Sequence, residues 1–165
     1  MKSSVFVVFC LVLLTASVAE ARRRSYSYGS SSGSPNAAAS VKSMPEFIRK
    51  EVDKTELNLI EENLLKETNK ARQRHGLHPL QIDRRLQRQT RWHAIWMTRN
   101  RSMVHGSGVI ENIAMGQRNT REVLGTWMNS SGHRANILNP SHTKAGLSAY
   151  RTPEGTVYWC QQFSR

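Results

Sequence analysis

Two segments of this 165-residue chain say most about its fold and function: Glu-Asn-Ile-Ala at residues 111–114, and Trp-Met-Asn-Ser-Ser-Gly-His-Arg-Ala-Asn-Ile-Leu at residues 127–138. Within and around them lie two histidines and two acidic residues: His105, Glu111, Glu122 and His133. Titratable side chains concentrated among small and turn-forming residues are typical of a compact site in a small domain. The candidate functional site is therefore sought here.

The first 21 residues have the pattern of a secretory signal peptide. Lys2 precedes an apolar run from Val5 to Leu14, and Ala19-Glu20-Ala21 offers the small residues after which signal peptidase cuts. No later apolar run approaches the ~20 residues that a transmembrane helix needs. The sequence predicts a signal peptide at 1–21 and a mature protein that is secreted, extracellular and soluble.

Cysteine usage excludes a disulfide framework within one mature chain. Of the two cysteines, Cys10 lies in the predicted signal peptide, so Cys160 has no intramolecular partner. The strand-like segment that contains it, Thr-Val-Tyr-Trp-Cys at 156–160, favours burial of the free thiol. Pairing between two chains is the alternative.

The charge balance is strongly basic, with 24 Lys and Arg against 12 Asp and Glu. Such a protein is drawn to anionic phospholipid, acidic polysaccharide or nucleic acid, although the charge serves solubility equally well. Arg84, Arg88 and Arg91 share one face of a predicted helix, which we interpret as a solvated basic stripe. Nucleic acid is the weakest candidate, because secretion argues against it and no nucleic-acid-binding fold is apparent.

The order of predicted elements indicates an α+β fold. Residues 22–54 are basic and rich in Ser and Gly, which predicts a flexible arm. Residues 55–165 form a single domain in which helices cover a small antiparallel sheet. Its predicted elements are a helix over 55–75, a second helix capped by Asp83, a third capped by Thr120, a helical turn over 131–137, and strands over 144–151 and 156–163.

The chain resembles the CAP superfamily of cysteine-rich secretory, antigen 5 and pathogenesis-related proteins, also called SCP domains. The resemblance rests on the two segments quoted above, on Ala-Gly-Leu at 145–147 and on Tyr-Trp-Cys-Gln-Gln-Phe at 158–163, and it runs from about Leu57 onward. It is to the short, disulfide-free bacterial-type form. One departure is Ile110, where members usually have glycine.

This resemblance implies a three-layer α-β-α sandwich with a central cleft. It places four residues in that cleft: His105, Glu111, Glu122 and His133. Two imidazoles and two carboxylates suit Zn²⁺ or another divalent cation, bound weakly, at about 2.0–2.2 Å per bond. Their spacing alone matches no compact metal motif. In the alternative interpretation, Glu122 complements its helix dipole and His133 packs its turn.

The resemblance implies an extracellular binding, defence or signalling module. Its expected ligands are a sterol or other small lipid, an anionic cell-surface polymer or a membrane surface. A metal-dependent, peptidase-like hydrolase that uses the same cleft is the alternative; enzyme activity is not the favoured interpretation. No Gly-x-Ser-x-Gly elbow is present, and helix capping explains Ser130 and Ser131 equally well. Asn112, Trp127 and Asn136 also have a structural interpretation, as groups that fix helix to sheet.

Four further histidines lie outside the motif positions and are expected to be surface or packing residues: His75, His78, His93 and His142.

Overall fold

The computed structural model describes residues 45–165, which form five helices and four strands. The helices are α1 (Glu46–Val52), α2 (Leu59–Arg74), α3 (Arg84–Asn100), α4 (Thr120–Met128) and α5 (Ser131–Ile137), and the strands are β1 (Gln81–Ile82), β2 (Ile110–Met115), β3 (Lys144–Arg151) and β4 (Val157–Ser164). The predicted signal peptide and residues 22–44 of the predicted arm lie outside the described residues. Among the described helices, none has the length and apolar character to cross a membrane.

The four strands form one sheet in the order β1-β3-β4-β2. Strand β4 pairs antiparallel with β3, as expected, and also pairs antiparallel with β2, a strand that was not predicted. Strand β1 pairs parallel with β3, so the sheet is mixed and the prediction of an antiparallel sheet was wrong at this edge. Strand β1 has only two residues, which are too few to show an alternation of apolar and polar residues in the sequence. Its direction is set by the path of the chain between α2 and α3.

Helices cover both faces of the sheet, which confirms the α+β class and the three-layer arrangement. Leu64 of α2, Val123 and Trp127 of α4 and Ile137 of α5 pack on one face. Helix α3 covers the other face, where Ala94 and Met97 meet Ile113, Tyr158 and Cys160. Side chains alternate between the two faces along β4, because Trp159 and Phe163 belong to the first core and Tyr158 and Cys160 to the second.

Helix α3 lies unusually close to strand β3. A Cβ at Gly146 would lie 2.4 Å from the carbonyl carbon of Leu86, so only glycine permits this approach. The side chain of Gln87 then accepts from the Leu147 amide at 2.9 Å and donates to its carbonyl at 2.7 Å. Strand β1 pairs only with Lys144 and Ala145 of β3, so the Gln87 side chain takes the place of a strand at Leu147.

Three helices begin at a residue whose side chain caps them, and one of these caps, Asp83, was predicted. Asn58 and Glu61 form a capping box at the start of α2, and the Asp83 carboxylate accepts from the Leu86 amide as expected. The cap of α4 is Asn119 and not Thr120, since the Asn119 side chain accepts from the Glu122 amide at 2.9 Å. Ser130 occupies the cap position of α5 without a capping hydrogen bond from its side chain.

The predicted arm ends too late in the sequence, because residues 46–52 form helix α1. Ile48 and Val52 lie one helical turn apart and are both buried, and they pack with Trp92 and Ile95 of α3. Two apolar residues in a short charged segment do not distinguish it from an unstructured arm by composition. They are nevertheless enough to pack one face of α1 against α3.

The interpretation of Arg91 as part of a solvated stripe was also wrong. Arg84 and Arg88 are exposed, whereas the Arg91 side chain is 2% exposed and forms an ion pair of 2.7 Å with the fully buried Glu61. Its guanidinium also donates to the carbonyls of Lys54 and Glu56 in the segment between α1 and α2. Arg91 therefore fastens α1 and this segment to the core.

Candidate functional site

Glu111 is the centre of the candidate site. It lies on β2, and its carboxylate is 1% exposed. Its Oε1 accepts from the Gly106 amide at 2.5 Å and lies 3.1 Å from Nδ1 of His105. Its Oε2 accepts from the side-chain amide of Gln162, the residue opposite on β4, at 3.1 Å. Both oxygens are therefore engaged by the protein, and the contact at Oε1 orients the His105 ring.

Two further buried residues surround this carboxylate, and the first is Cys160. Its thiol lies 3.8 Å from Oε2, and burial raises the pKa of the thiol above the ordinary value, with the Glu111 charge adding to the effect. The predicted burial of Cys160 is confirmed. A thiol held neutral in this way is a poor nucleophile, in keeping with a structural role.

His93 is the second, and it is the residue near the site that sequence reasoning missed. It was expected to be a surface or packing residue, and its ring is indeed buried and stacked on Trp96. Its Nε2 also lies 2.9 Å from the Val104 carbonyl and 3.6 Å from Oε1 of Glu111. His93 thus supports both the carboxylate and the loop that carries His105. No local pattern reveals this, because the contacts join α3 to a loop and a strand.

His133 reaches the site from helix α5. Its Nδ1 lies 2.9 Å from the hydroxyl of Ser130, which explains why Ser130 does not cap the helix. Asn112 of β2 donates to the His133 carbonyl at 3.1 Å and accepts from the Asn136 side chain at 2.9 Å. The motif asparagines therefore bind α5 to β2, as their structural interpretation predicted.

The structure brings His105, Glu111 and His133 together. His105 is close enough that its charge contributes to lowering the pKa of His133, although burial of His133 is the larger cause. Each ring uses Nδ1 for a protein contact, and within residues 45–165 neither Nε2 has a hydrogen-bond partner. The Nε2 atoms of His105 and His133 are therefore available to bind a ligand.

Glu122 is placed differently from the other three predicted site residues. It lies in the first turn of α4, and its carboxylate accepts from the Arg118 amide at 3.0 Å and pairs with the Arg118 side chain at 3.5 Å. No hydrogen bond or ion pair in the described part of the chain joins it to His105, Glu111 or His133. In this arrangement Glu122 complements its helix N-terminus.

Comparison with known proteins now assigns the family. The family model described as CAP: Cysteine-rich secretory protein family matches residues 65–163, which is more than half of the chain. The chain belongs to this family. The quoted motif segments, His105, His133 and Glu111 all fall inside the matched region.

Bacterial relatives of this CAP domain are similar along much of its length. The Bacillus subtilis (strain 168) protein named "Uncharacterized protein YkwD" is 36% identical over 121 residues, which cover 62% of this chain and 46% of that protein. This chain therefore matches about half the length of that relative.

Solved structures have the same fold. An extracellular protein containing an SCP domain from Bacillus anthracis str. Ames is 27% identical, with a TM-score of 0.56 and coverage of 64% of this chain and 40% of that one. An outer surface protein from Borrelia burgdorferi is 22% identical, with a TM-score of 0.57 and coverage of 62% of this chain and 89% of that one. At that identity, the second likeness concerns the fold alone.

The donor set of this CAP domain limits what metal it can hold. Within residues 45–165, no group of three or more His, Cys, Asp and Glu side chains is arranged around a common ion position. The two free imidazole nitrogens are suitable donors for Zn²⁺, with Nδ1 of His105 oriented by Glu111 in the manner of a carboxylate–histidine–metal triad. A cation held there would take its remaining ligands from water.

The stability of this CAP domain should fall as the pH drops below the ordinary histidine pKa of about 6.5. Burial lowers the pKa of both His133 and His142, with nearby positive charges adding to the effect. The unfolded chain therefore binds protons that the folded chain does not, so the full stability is present above about pH 6.5 and is lost as the pH falls toward the lowered values. Urea midpoints at about pH 7.5 and 5.5 measure this, and His142→Gln should flatten the dependence. An equal or higher midpoint at the lower pH would contradict it.

Proposed function

We propose that this CAP domain is a secreted binding protein that holds a divalent cation, for which Zn²⁺ is the probe, between His105 and His133. The observation that carries the proposal is the pair of free Nε2 atoms, each on a ring whose Nδ1 is fixed by a protein partner. Metal-ligating histidines ordinarily have their second nitrogen fixed in this way.

The electrostatics of the cleft also favour a cation ligand. Imidazole must be neutral to bind a metal ion, and the lowered pKa of His133 keeps its ring neutral at physiological pH. The buried Glu111 carboxylate beside His105 adds negative charge behind the ligand shell. In this proposal Glu111 positions His105, and Glu122 stays with Arg118 outside the ligand set.

The family and its relatives support an extracellular role. The matched family is named for secretory proteins, and the solved relative from Bacillus anthracis described above is named as an extracellular protein. The predicted signal peptide agrees with them. The partners that we propose are a small lipid such as a sterol, or an anionic polymer or membrane surface that attracts a chain with a net charge of +12.

A calorimetric titration with ZnCl₂ tests the proposal. The mature chain should bind zinc with a saturating, equimolar signal, and a folded His105→Ala, His133→Ala variant should lose it. A His75→Ala, His78→Ala variant is the matched control, because it removes two exposed histidines away from the cleft and should bind as the wild type does. If the wild type does not bind, or the control loses binding equally, the proposal is wrong.

A metal-dependent hydrolase is the second candidate, favoured by the 2.9 Å contact between His133 and Ser130. The arrangement differs from a catalytic triad, because the buried carboxylate of Glu111 contacts His105 and not the histidine that faces the serine. Zinc-loaded protein assayed on peptide and ester substrates separates the two functions. Turnover that Ser130→Ala or the double histidine variant abolishes would establish the hydrolase.

A further inference from the structure

The outer edge of strand β3 is covered along only part of its length. In an antiparallel pair, alternate residues of a strand direct both of their backbone groups away from the partner strand. In β3 the residues that face away from β4 are Ala145, Leu147, Ala149 and Arg151. The Ala145 carbonyl accepts from the Asp83 amide at 3.0 Å, and the Gln87 side chain binds both backbone groups of Leu147.

The last two of these residues form an open edge. Strand β1 ends its pairing at Ala145, and within residues 45–165 neither Ala149 nor Arg151 has a backbone hydrogen-bond partner on that side. An unpaired strand edge is a template onto which another extended chain can add. We call residues 149–151 the open edge of β3.

Two pockets flank the open edge, one on each face of the sheet. The α2–α4 pocket, of about 210 Å³, is lined by Leu59 and by Trp159 of the first core. The α1–α3 pocket, of about 430 Å³, is lined by Phe47 on the opposite face. Both pockets include Tyr150 and Arg151. Because the side chains of an extended chain alternate between faces, a strand added at this edge would direct them into the two pockets in turn.

Large apolar side chains are exposed in both pockets. Leu59 and Ile60 are 71% and 45% exposed in the α2–α4 pocket, and Phe47 is 70% exposed in the α1–α3 pocket. Aromatic and aliphatic side chains left exposed beside a concavity are typical of protein interaction sites. The open edge is therefore bordered by apolar contact surface on both sides.

The same region carries uncompensated positive charge. Arg99 and Arg151 are exposed, and within residues 45–165 neither forms an ion pair. The acidic residue in the α1–α3 pocket, Glu51, is already paired with Lys54 at 2.6 Å. Carboxylates on an added chain would therefore meet two guanidinium groups that are free to bind them.

Charge excludes two occupants that the chain itself supplies. Residues 22–44, which precede α1, contain three arginines and one lysine and no acidic residue. A second copy would bring another net charge of +12. Both would be repelled by Arg99 and Arg151, so the occupant is an acidic chain from another molecule.

We propose that the open edge of β3 binds an extended acidic segment of a partner protein, which adds a strand beside Ala149 and Arg151 and places alternate side chains in the two pockets. Backbone hydrogen bonds give such a complex its affinity, and the pockets give it specificity. An anionic polysaccharide is disfavoured because it has no backbone N–H and C=O groups at the spacing of a strand. This interaction is separate from the cation site, since neither pocket contains His105 or His133.

Selection of a random seven-residue peptide library, displayed on phage, against the mature protein tests the proposal. The enriched peptides should combine acidic with apolar residues. A synthetic copy of the most enriched peptide should bind saturably and shift the backbone amide NMR signals of Ala149 and Arg151. Its affinity should fall by on the order of tenfold or more in Arg99→Gln, Arg151→Gln and in Phe47→Ala. Arg84→Gln, Arg85→Gln is the control, because it removes the same charge from exposed arginines at the start of α3.

Methylation of single peptide nitrogens distinguishes an added strand from a peptide held only by its side chains. Alternate N–H groups of an added strand point toward β3, and the others point to solvent. Methylation should therefore weaken binding by on the order of tenfold at every second position and change it little at the positions between. Loss at every position, or at none, would overturn strand addition.

The proposal is also overturned if no acidic peptide is enriched, if the arginine control loses binding equally, or if polygalacturonate or phosphatidylglycerol vesicles bind at these arginines and no peptide does. Zinc titration should be unchanged in the variants of the open edge, and peptide binding unchanged in the His105→Ala, His133→Ala variant. Peptide binding without zinc binding would overturn only the cation site.

Discussion

Arg91→Met should lower the free energy of unfolding by ~3–5 kcal/mol, the largest effect on stability that we expect from a single substitution. The Glu61 carboxylate is fully buried and is held by two hydrogen bonds from Arg91, at 2.7 and 2.8 Å. Methionine fills much of the same volume but leaves that charge without a partner. The carbonyls of Lys54 and Glu56 lose their donors at the same time.

Urea unfolding followed by circular dichroism measures this effect, and Arg88→Met is its matched control. Arg88 lies on the same helix and pairs with Asp53 at 2.7 Å, but both side chains are about half exposed. Exposed pairs contribute ~0.2–1 kcal/mol, so the control should change stability little. Replacing both partners, as in Arg91→Met, Glu61→Gln, should recover part of the loss. Equal effects of Arg91→Met and Arg88→Met would show that the buried pair does not fasten α1 to the core.

Glu111→Gln should weaken zinc binding by about 10–100-fold while the domain stays folded, the largest effect on the site from a residue that need not touch the ion. The carboxylate accepts from His105 and the Gly106 amide through one oxygen and from Gln162 through the other. An amide of the same shape keeps one acceptor but removes the negative charge. His105 then loses both its fixed orientation and the negative charge beside its Nδ1.

Glu122→Gln is the control for that prediction. The sequence placed both glutamates in one ligand set, whereas the structure pairs Glu122 with Arg118. If Glu111 positions the histidine and Glu122 lies outside the ligand set, the second substitution should leave zinc affinity nearly unchanged. Calorimetry on both variants decides this, with near-ultraviolet circular dichroism as the check on folding. A larger loss in Glu122→Gln than in Glu111→Gln would contradict the assignment of roles.

Features encoded by local periodicity were predicted well. The strand predicted over 156–163 is observed as β4, and the Asp83 cap marks the start of α3 correctly. Helix α5 begins at Ser131, as predicted. These features depend on residues within a few positions of one another, where hydrogen bonding and side-chain direction are fixed by the backbone.

Features that depend on distant partners were not predicted. Arg91 looks like any other arginine of its helix until Glu61, thirty positions earlier, is seen beside it. His93 of α3 lies 3.6 Å from Glu111 of β2, a contact between residues eighteen positions apart in the sequence. Glu122 was carried over from the family motif, and its hydrogen bonds to Arg118 depend on the local loop. For Arg91 and His93 the deciding contact joins separate elements, which periodicity does not report. For Glu122 the contact is local, but the family motif does not include Arg118.

The cation site is tested most directly by anomalous diffraction at the zinc absorption edge, from crystals of the mature protein soaked in zinc. We predict a peak at about 2.0–2.1 Å from Nε2 of both His105 and His133, with the Nδ1 contacts to Glu111 and Ser130 retained. A peak confined to exposed histidines such as His75 or His78, or no peak in the cleft, would contradict the proposed site.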